Sequence, residues 1–254
     1  MFGTDFDLML IVPAFIAGLL VLSTHVPLGQ EVLKRGIIFI DLAIAQIAAL
    51  GVIAATVLGG DLASWQVQVF AGLSALSGAV FIYWLEQQYP DILEALIGLL
   101  FVLAASAGML LVSLAPHGDE LLHDLLVGQI LWVGTEQLLW VSALYALLLT
   151  AWFTVNNKPH PVLFYIIFSL AVTASVQLVG IYLVFASLIL PALVTRNIAR
   201  RKHALLFAYG LGIGGYFVGL ITSIILDMPT GAITVWSLLL MTLCIKPFLR
   251  KSLC

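Results

Sequence analysis

Charged residues are scarce in this sequence. Asp, Glu, Lys and Arg make up only 9% of the 254 residues, 63% are hydrophobic, and the mean hydropathy is +1.17. Soluble domains average about 25% charged and 45–50% apolar residues, so this composition excludes an ordinary soluble protein. The net charge of −3 argues against a nucleic-acid partner, because such partners are bound by clustered Lys and Arg.

Cysteines and catalytic motifs are also nearly absent. The two cysteines, Cys244 and Cys254, have neither the spacing of a zinc site nor that of a disulfide framework. No Ser-His-Asp, HExxH, Walker A or GxGxxG arrangement is present, so the sequence predicts no catalytic residue and no enzyme. The beginning, MFGTDFDLMLIV, lacks the basic region and cleavage site of a signal peptide, so we expect the first apolar run to remain as a span.

Long apolar runs fill most of the chain. Each is expected to be a helix, because backbone amides in lipid must be paired within the segment. The sequence therefore predicts an all-α, multi-pass integral membrane protein with a single transmembrane domain, residues 1–254, and about eight to nine transmembrane helices, some broken or short. The runs lie at about 8–24, 37–59, 65–84, 93–115, 137–154, 162–194, 205–226 and 231–246.

Two segments depart from a plain span. The 33-residue run 162–194 is too long for one ordinary crossing and has Ser175, Gln177 and Gly180 in its middle, which predicts two short helices that meet at a break. The segment 121-LLHDLLVGQILWVG-134 is too short to cross and is interrupted by glycine, so we expect an interfacial or re-entrant helix.

The few basic residues predict the orientation. They occur at Lys34 and Arg35, at Lys158, in 196-RNIARRK-202 and near the C-terminus, and the positive-inside rule assigns all of these to the cytoplasm. Nine crossings then lead from an outside N-terminus to an inside C-terminus, in a cytoplasmic (inner) membrane. The segment 85-LEQQYPDIL-93 is acidic although this topology places it inside.

Four stretches resemble a known family. The sequence is similar, in this order, to the membrane permease subunits of ABC importers for zinc, manganese or iron, including their Pro-Leu-Gly turn near the end of the first span. The stretches are 25-HVPLGQEVLKRGIIFIDLAIAQIAALGV-52, 126-LVGQILWVGTEQL-138, 172-VTASVQLVGIYLVFASLILPALVTRNIAR-200 and the Asp-x-Pro-x-Gly turn of 227-DMPTGAITV-235.

The resemblance implies a function. Such a permease moves a divalent transition metal, zinc or manganese, while ATP hydrolysis takes place on a separate ABC ATPase subunit. It implies an extracytoplasmic metal-binding protein as a further partner and a homodimer of permeases in the lipid bilayer. It implies no bound cofactor in the chain, because the metal is the cargo.

The second span differs from the family pattern. Family members carry an Asp and, four residues later, a His, whereas the matching positions here hold Leu42 and Gln46. Asp41 is one residue early and lies about 140° around a regular helix from Gln46, so the two cannot both coordinate one ion. Asp41 is either a transport-path residue or a partner of Lys34 and Arg35, and Gln46 is either a path residue or an interhelical hydrogen-bond donor.

Two further sets of candidates lie elsewhere. Gln177 and Gly180 are predicted path residues, because unwound backbone at a helix break can expose carbonyl groups to a path. The loop 116-PHGDELLHD-124 holds a possible outside metal cluster, with Glu120 and His123 three apart on any helix. The alternative is an acidic loop that caps the following helix. The members of this cluster are His117, Asp119, Glu120 and His123.

Two rival functions remain open from the sequence. In family members a cytoplasmic coupling helix precedes the run at 162, but the connection here is only 155-VNNKPHP-161, whose prolines oppose a helix. Docking of the ATPase then depends on another loop, such as 196-RNIARRKHA-204. The rivals are a secondary transporter that uses Asp41 for proton coupling, and a non-transporting membrane scaffold derived from such a permease.

Overall fold

The computed structural model describes residues 8–58, 63–114, 118–128, 130–154 and 161–251. Within these ranges the chain forms ten α-helices and two short 3-10 helices, Pro90–Ile92 and Ile130–Trp132, and no strand. The helices are α1 Leu8–Arg35, α2 Ile40–Leu58, α3 Ser64–Gln88, α4 Leu93–Val112, α5 Gly118–Val127, α6 Thr135–Thr154, α7 Pro161–Val179, α8 Ile181–Thr195, α9 Arg201–Leu226 and α10 Thr230–Lys251.

Most of these helices can cross a bilayer. In the part of the chain that the structure describes, seven are long and apolar enough: α1 to α4, α6, α7 and α9. Two shorter apolar helices, α8 and the apolar part of α10, add to them. The prediction of an all-α multi-pass membrane protein with broken or short helices is confirmed. The 10-residue α5 is too short to cross, as expected for 121–134.

Contacts between helices show which ends lie together. Gly51 lies against Ser74 and Gly78 against Ile47, so α2 and α3 are antiparallel. The N–H of Phe39 donates to Oε1 of Glu94 at 3.0 Å, which joins the beginnings of α2 and α4. We name the end of the bundle that carries Arg35, Glu94, Pro161 and Thr195 the inner end, and the opposite end the outer end. The positive-inside rule assigns the inner end to the cytoplasm.

An ionic cluster at the inner end accounts for Glu86 in the acidic segment 85–93. Arg35 Nε lies 3.3 Å from Oε1 of Glu31, and Arg35 Nη1 lies 3.9 Å from Oε1 of Glu86. The guanidinium also stacks 4.3 Å from the ring centre of Phe164. Glu86 therefore pairs with α1 at its inner end, and Glu94, just after the segment, contacts the beginning of α2.

The Pro-Leu-Gly segment is not a turn, contrary to the expectation from the resemblance. Helix α1 continues through Pro27 to Arg35. A proline inside a helix leaves the carbonyl four residues earlier without its usual donor, here that of Ser23. The hydroxyl of Tyr209 in α9 donates to this carbonyl at 3.1 Å. The neighbouring helix thus satisfies the group that Pro27 leaves free.

Replacing Tyr209 with phenylalanine tests this contact. The variant leaves a carbonyl unpaired at membrane depth, so we expect it to lower the free energy of unfolding by about 1 kcal/mol. Unfolding of the purified protein in detergent is the measurement. Tyr182→Phe is the control, because Tyr182 is half exposed. Equal stability of the two variants would show that Pro27 does not need this donor.

Candidate functional site

A cavity of 710 Å³ lies between α2, α4, α8 and α10, with Leu126 of α5 at its outer end. Its wall is aliphatic and aromatic apart from one amide and the polar atoms of one tyrosine and one tryptophan, and no lining residue is charged. The lining residues are Leu42, Gln46, Phe101, Ala105, Leu126, Ile181, Tyr182, Phe185, Ala186, Ile189, Leu190, Ala232, Val235, Trp236 and Leu239.

The cavity runs along the helix axes. On α8 it extends from Ile181, the first residue at the outer end, to Leu190, a rise of about 14 Å. On α2 it reaches Leu42, two residues after the inner beginning of that helix. The cavity is therefore a cleft that extends from the outer end of the bundle to the base of α2.

The second span presents the two substituted positions to this cavity. Leu42 and Gln46 both line it, as two residues four apart on one helix face should. Gln46 is 8% exposed and forms no hydrogen bond with any residue that the structure describes. The positions that resemble the family's metal pair therefore face the cavity, but they carry the aliphatic side chain of Leu42 and the neutral amide of Gln46.

Asp41 lies beside the cavity rather than in it. Its side chain is 1% exposed, and neither carboxylate oxygen has a partner among the described residues. The alternative ion pair with Lys34 or Arg35 is not formed, because both of these cations lie next to Glu31. A carboxyl group buried without a partner is costly and is retained mainly where it functions. The path role of Asp41 stays a prediction.

Three glycines meet at the outer end of the bundle. Gly180 separates α7 from α8, as the sequence predicts, with φ 81° and ψ 161°. Gly128, with φ 74°, follows α5 and lies directly against the backbone of Val179 and Gly180. Gly231, in the first turn of α10, lies against the carbonyl of Val127. We name Gly128, Gly180 and Gly231 the glycine junction.

The glycine junction leaves Gly180 well paired. Its N–H donates to the carbonyl of Val176 at 2.8 Å, and its carbonyl accepts from the N–H of Val184 at 3.1 Å. The carbonyl that was expected to face a path is therefore already hydrogen-bonded within α8, and a path role for Gly180 stays a prediction. Sequence reasoning did not predict a role for Gly128, although this glycine interrupts the segment 121–134 and could have indicated one.

Gln177 lies in a different cavity from Gln46. Its backbone carbonyl accepts a hydrogen bond from Nε2 of Gln137 at 3.4 Å. Together with Gln68, Gln137 and Asp124 it lines a cavity of 270 Å³ between α3, α5, α6 and α7 at the outer end. The structure thus does not bring the two predicted glutamines together, and a path role for Gln177 stays a prediction.

The possible outside metal cluster is only partly described. His117 and the side chain of Asp119 lie outside the described residues. Glu120 and His123 are exposed on α5, and Nδ1 of His123 lies 3.8 Å from Oδ1 of Asp124. Among the described residues no group of three or more His, Cys, Asp and Glu side chains could hold a metal ion. A metal site here stays a prediction.

Comparison with curated proteins finds metal transport proteins. The chain is 25% identical over 213 residues to a Chlamydia muridarum protein described as a "probable metal transport system membrane protein", with 72% of this chain and 73% of the relative covered. It is 29% identical over 186 residues to a Haemophilus influenzae "probable iron transport system membrane protein", with 65% and 64% covered.

Solved structures share the fold. PsaBC of Streptococcus pneumoniae, solved with a Fab, gives a TM-score of 0.73 at 20% identity, with 95% of this chain and 94% of that chain covered. An inward-facing ABC transporter of metal-chelate type gives a TM-score of 0.62 at 14% identity, with 91% and 76% covered. At these sequence identities the comparison shows a shared fold and no more.

The profile of the ABC 3 transport family matches two stretches, residues 7–161 and 154–248, and so covers almost the whole chain. The match agrees with the multi-pass helical fold and with the order of the motifs along the sequence. The chain therefore belongs to the ABC 3 transport family of metal and iron ABC transporter permeases, and it is a membrane transport subunit rather than an enzyme.

Proposed function

We propose that this chain is the permease of an ABC importer that moves zinc or manganese across the cytoplasmic membrane, with iron as the third metal to be tested. The cavity along α2, α8 and α10 is the observation that carries the proposal, because it reaches from the outer end to Leu42. Family membership supports the class of cargo, and the relatives are described as metal and iron transport proteins.

The cavity is open on one side of the bundle. In the proposed assembly a second copy of the chain faces this side, so that the two copies of α2, α8 and α10 enclose one central path. Access to that path alternates as the α7–α8 break and α10 shift at the glycine junction. Gly128, Gly180 and Gly231 pack backbone against backbone there, so a movement of one segment must move the others.

ATP hydrolysis belongs to a partner subunit in this proposal. Loop 196–200 and the beginning of α9 offer a docking surface at the inner end, since Arg196, Arg200, Arg201 and Lys202 are all exposed. Residues 155–160 of the short connection before α7 lie outside the described residues. An extracytoplasmic metal-binding protein would dock at the opposite end, near α5 and its exposed His123.

Asp41 gives a specific expectation within the proposed function. Replacing Asp41 with asparagine keeps the side-chain volume but removes the titratable carboxyl beside the base of the cavity. We therefore expect about tenfold lower metal uptake with an unchanged amount of protein in the membrane. Uptake of radioactive metal is the measurement. Asp91→Asn is the matched control, because Asp91 is exposed at the same end. Unchanged uptake in Asp41→Asn would exclude the path role.

Metal accumulation in cells tests the proposed function itself. Cells that lack the chain, and the same cells with the chain restored, are supplied with zinc, manganese and iron separately, and total metal is measured. We expect accumulation of at least one of these metals to depend on the chain. A deletion that changes the accumulation of none of the three would favour the scaffold alternative and contradict the proposal.

A further inference from the structure

The wall of the 710 Å³ cavity has the wrong chemistry for a bare metal ion. Zinc and manganese prefer imidazole, thiolate or carboxylate ligands, and the cavity presents none of these. A divalent cation that loses its water without gaining such ligands pays a very large desolvation penalty. Asp41, the nearest candidate ligand in sequence, is buried beside the cavity and does not line it.

The amide of Gln46 is the feature that indicates a ligand. Gln46 as a residue is only 8% exposed and lines the cavity, and its amide forms no hydrogen bond with a described residue. Buried polar groups are normally hydrogen-bonded, and a membrane cavity offers few partners other than a bound molecule. The amide can both donate and accept, so it fits a cargo that carries an oxygen or nitrogen atom at its surface.

We propose that the metal enters this cavity inside a neutral, mostly apolar organic chelate, which forms a hydrogen bond with Gln46. The inference rests on the proposed function and specifies its cargo. The chelate supplies the ligands that the cavity lacks, while its aromatic or aliphatic exterior packs against Phe101, Phe185 and Trp236. A volume of 710 Å³ is within the range of about 300–1,000 Å³ that is usual for small-molecule sites.

Gln46 and Leu42 then act together as the residues that determine cargo specificity. Their four-residue spacing puts both on the cavity face of α2, where an Asp and a His would form half of a metal site. Leucine and glutamine at these positions exchange two metal ligands for an apolar contact and one hydrogen bond. The double variant Leu42→Asp/Gln46→His should therefore bind the bare metal ion in preference to the chelate.

Equilibrium dialysis with the full-length protein in lipid nanodiscs tests the proposal. The probe is radioactive zinc, supplied either alone or with excess 8-hydroxyquinoline, which forms a neutral 2:1 zinc complex. Nanodiscs without protein measure the complex that partitions into lipid. Gln46→Leu removes the amide, and Gln68→Leu makes the same change on α3, outside this cavity. Gel filtration confirms that each variant remains folded.

We expect the wild type to bind the zinc complex above the lipid blank and to bind zinc alone far more weakly. Gln46→Leu should weaken binding of the complex roughly tenfold, as expected for the loss of one buried hydrogen bond, and Gln68→Leu should not. Leu42→Asp/Gln46→His should gain binding of bare zinc and lose binding of the complex. This variant keeps the proposal testable even if Gln46→Leu does not fold.

Three results would overturn the inference. Binding of bare zinc that depends on Gln46 would show that the cavity accepts an ion. Binding of the zinc complex that is no stronger than its partition into empty nanodiscs would leave lipid as the occupant of the cavity. Equal weakening by Gln46→Leu and Gln68→Leu would show that the effect is not specific to the cavity.

Failure of this inference can be told apart from failure of the proposed function. Uptake in cells that depends on the chain when metal is supplied without any chelator, with no increase on addition of 8-hydroxyquinoline, would contradict a chelate as the cargo. That result would leave the permease function standing. If neither bare nor chelated zinc, manganese or iron accumulates in a chain-dependent way, the proposed function itself fails.

Discussion

Gly180→Ala is expected to remove most of the correctly folded protein and, with it, metal uptake. With φ 81° and ψ 161°, Gly180 has a backbone conformation that is nearly restricted to glycine. A Cβ atom at this position would also overlap the backbone of Val127 and Gly128. Strain and overlap together should lower the free energy of unfolding by at least about 3 kcal/mol.

The amount and thermal stability of the purified protein measure this effect. Gly98→Ala is the matched control, because a Cβ at Gly98 in α4 meets no atom within 4 Å. Alanine there should be neutral or slightly stabilising, since it favours a helix by about 1 kcal/mol over glycine. Normal stability of Gly180→Ala would mean that α7 and α8 do not need the glycine junction.

Filling the cavity is expected to stop transport without unfolding the protein. Ala186 on α8 and Ala105 on α4 both line the 710 Å³ cavity, and two indole rings fit within that volume. The double variant Ala105→Trp/Ala186→Trp should therefore fold and reach the membrane. Metal uptake should fall at least about a hundredfold, towards the level of cells that lack the chain, because the cargo would have to displace packed aromatic rings.

The control for this variant has the same change on a surface outside the cavity. Ala143 and Ala146 are exposed on α6 and do not line it, so Ala143→Trp/Ala146→Trp should leave uptake unchanged. Initial rates of radioactive metal uptake, normalised to protein in the membrane, are the readout. Full uptake by the filled variant would place the path somewhere other than between α2, α4, α8 and α10.

Much of the fold could be predicted from the sequence because lipid imposes strict rules. Apolar runs must be helical, so the spans and the break at Gly180 follow from length and hydropathy. The continuation of α1 through Pro27 could not be predicted, since the donor for the free carbonyl of Ser23 is Tyr209, 186 residues later in the chain. A proline alone indicates a turn, and only the tertiary partner shows that the helix continues.

The candidate site was less accessible to sequence reasoning. Helical spacing separates Asp41 from Gln46, and the structure bears this out by placing only Gln46 in the cavity. The same reasoning could not separate Gln46 from Gln177, because which cavity a side chain enters depends on the packing of α5 and α6. The sequence alone does not show that Trp236 lines the cavity, because tryptophan is equally typical of membrane interfaces.

The most direct test of the central claim is whether metal accumulation requires both this chain and ATP hydrolysis by its partner. Uptake is measured in cells with the intact system, in cells that lack the chain, and in cells whose partner ATPase has its Walker A lysine replaced. We predict that both changes lower uptake to the same background level. Chain-dependent uptake that continues without ATP hydrolysis would contradict the account and indicate a secondary transporter.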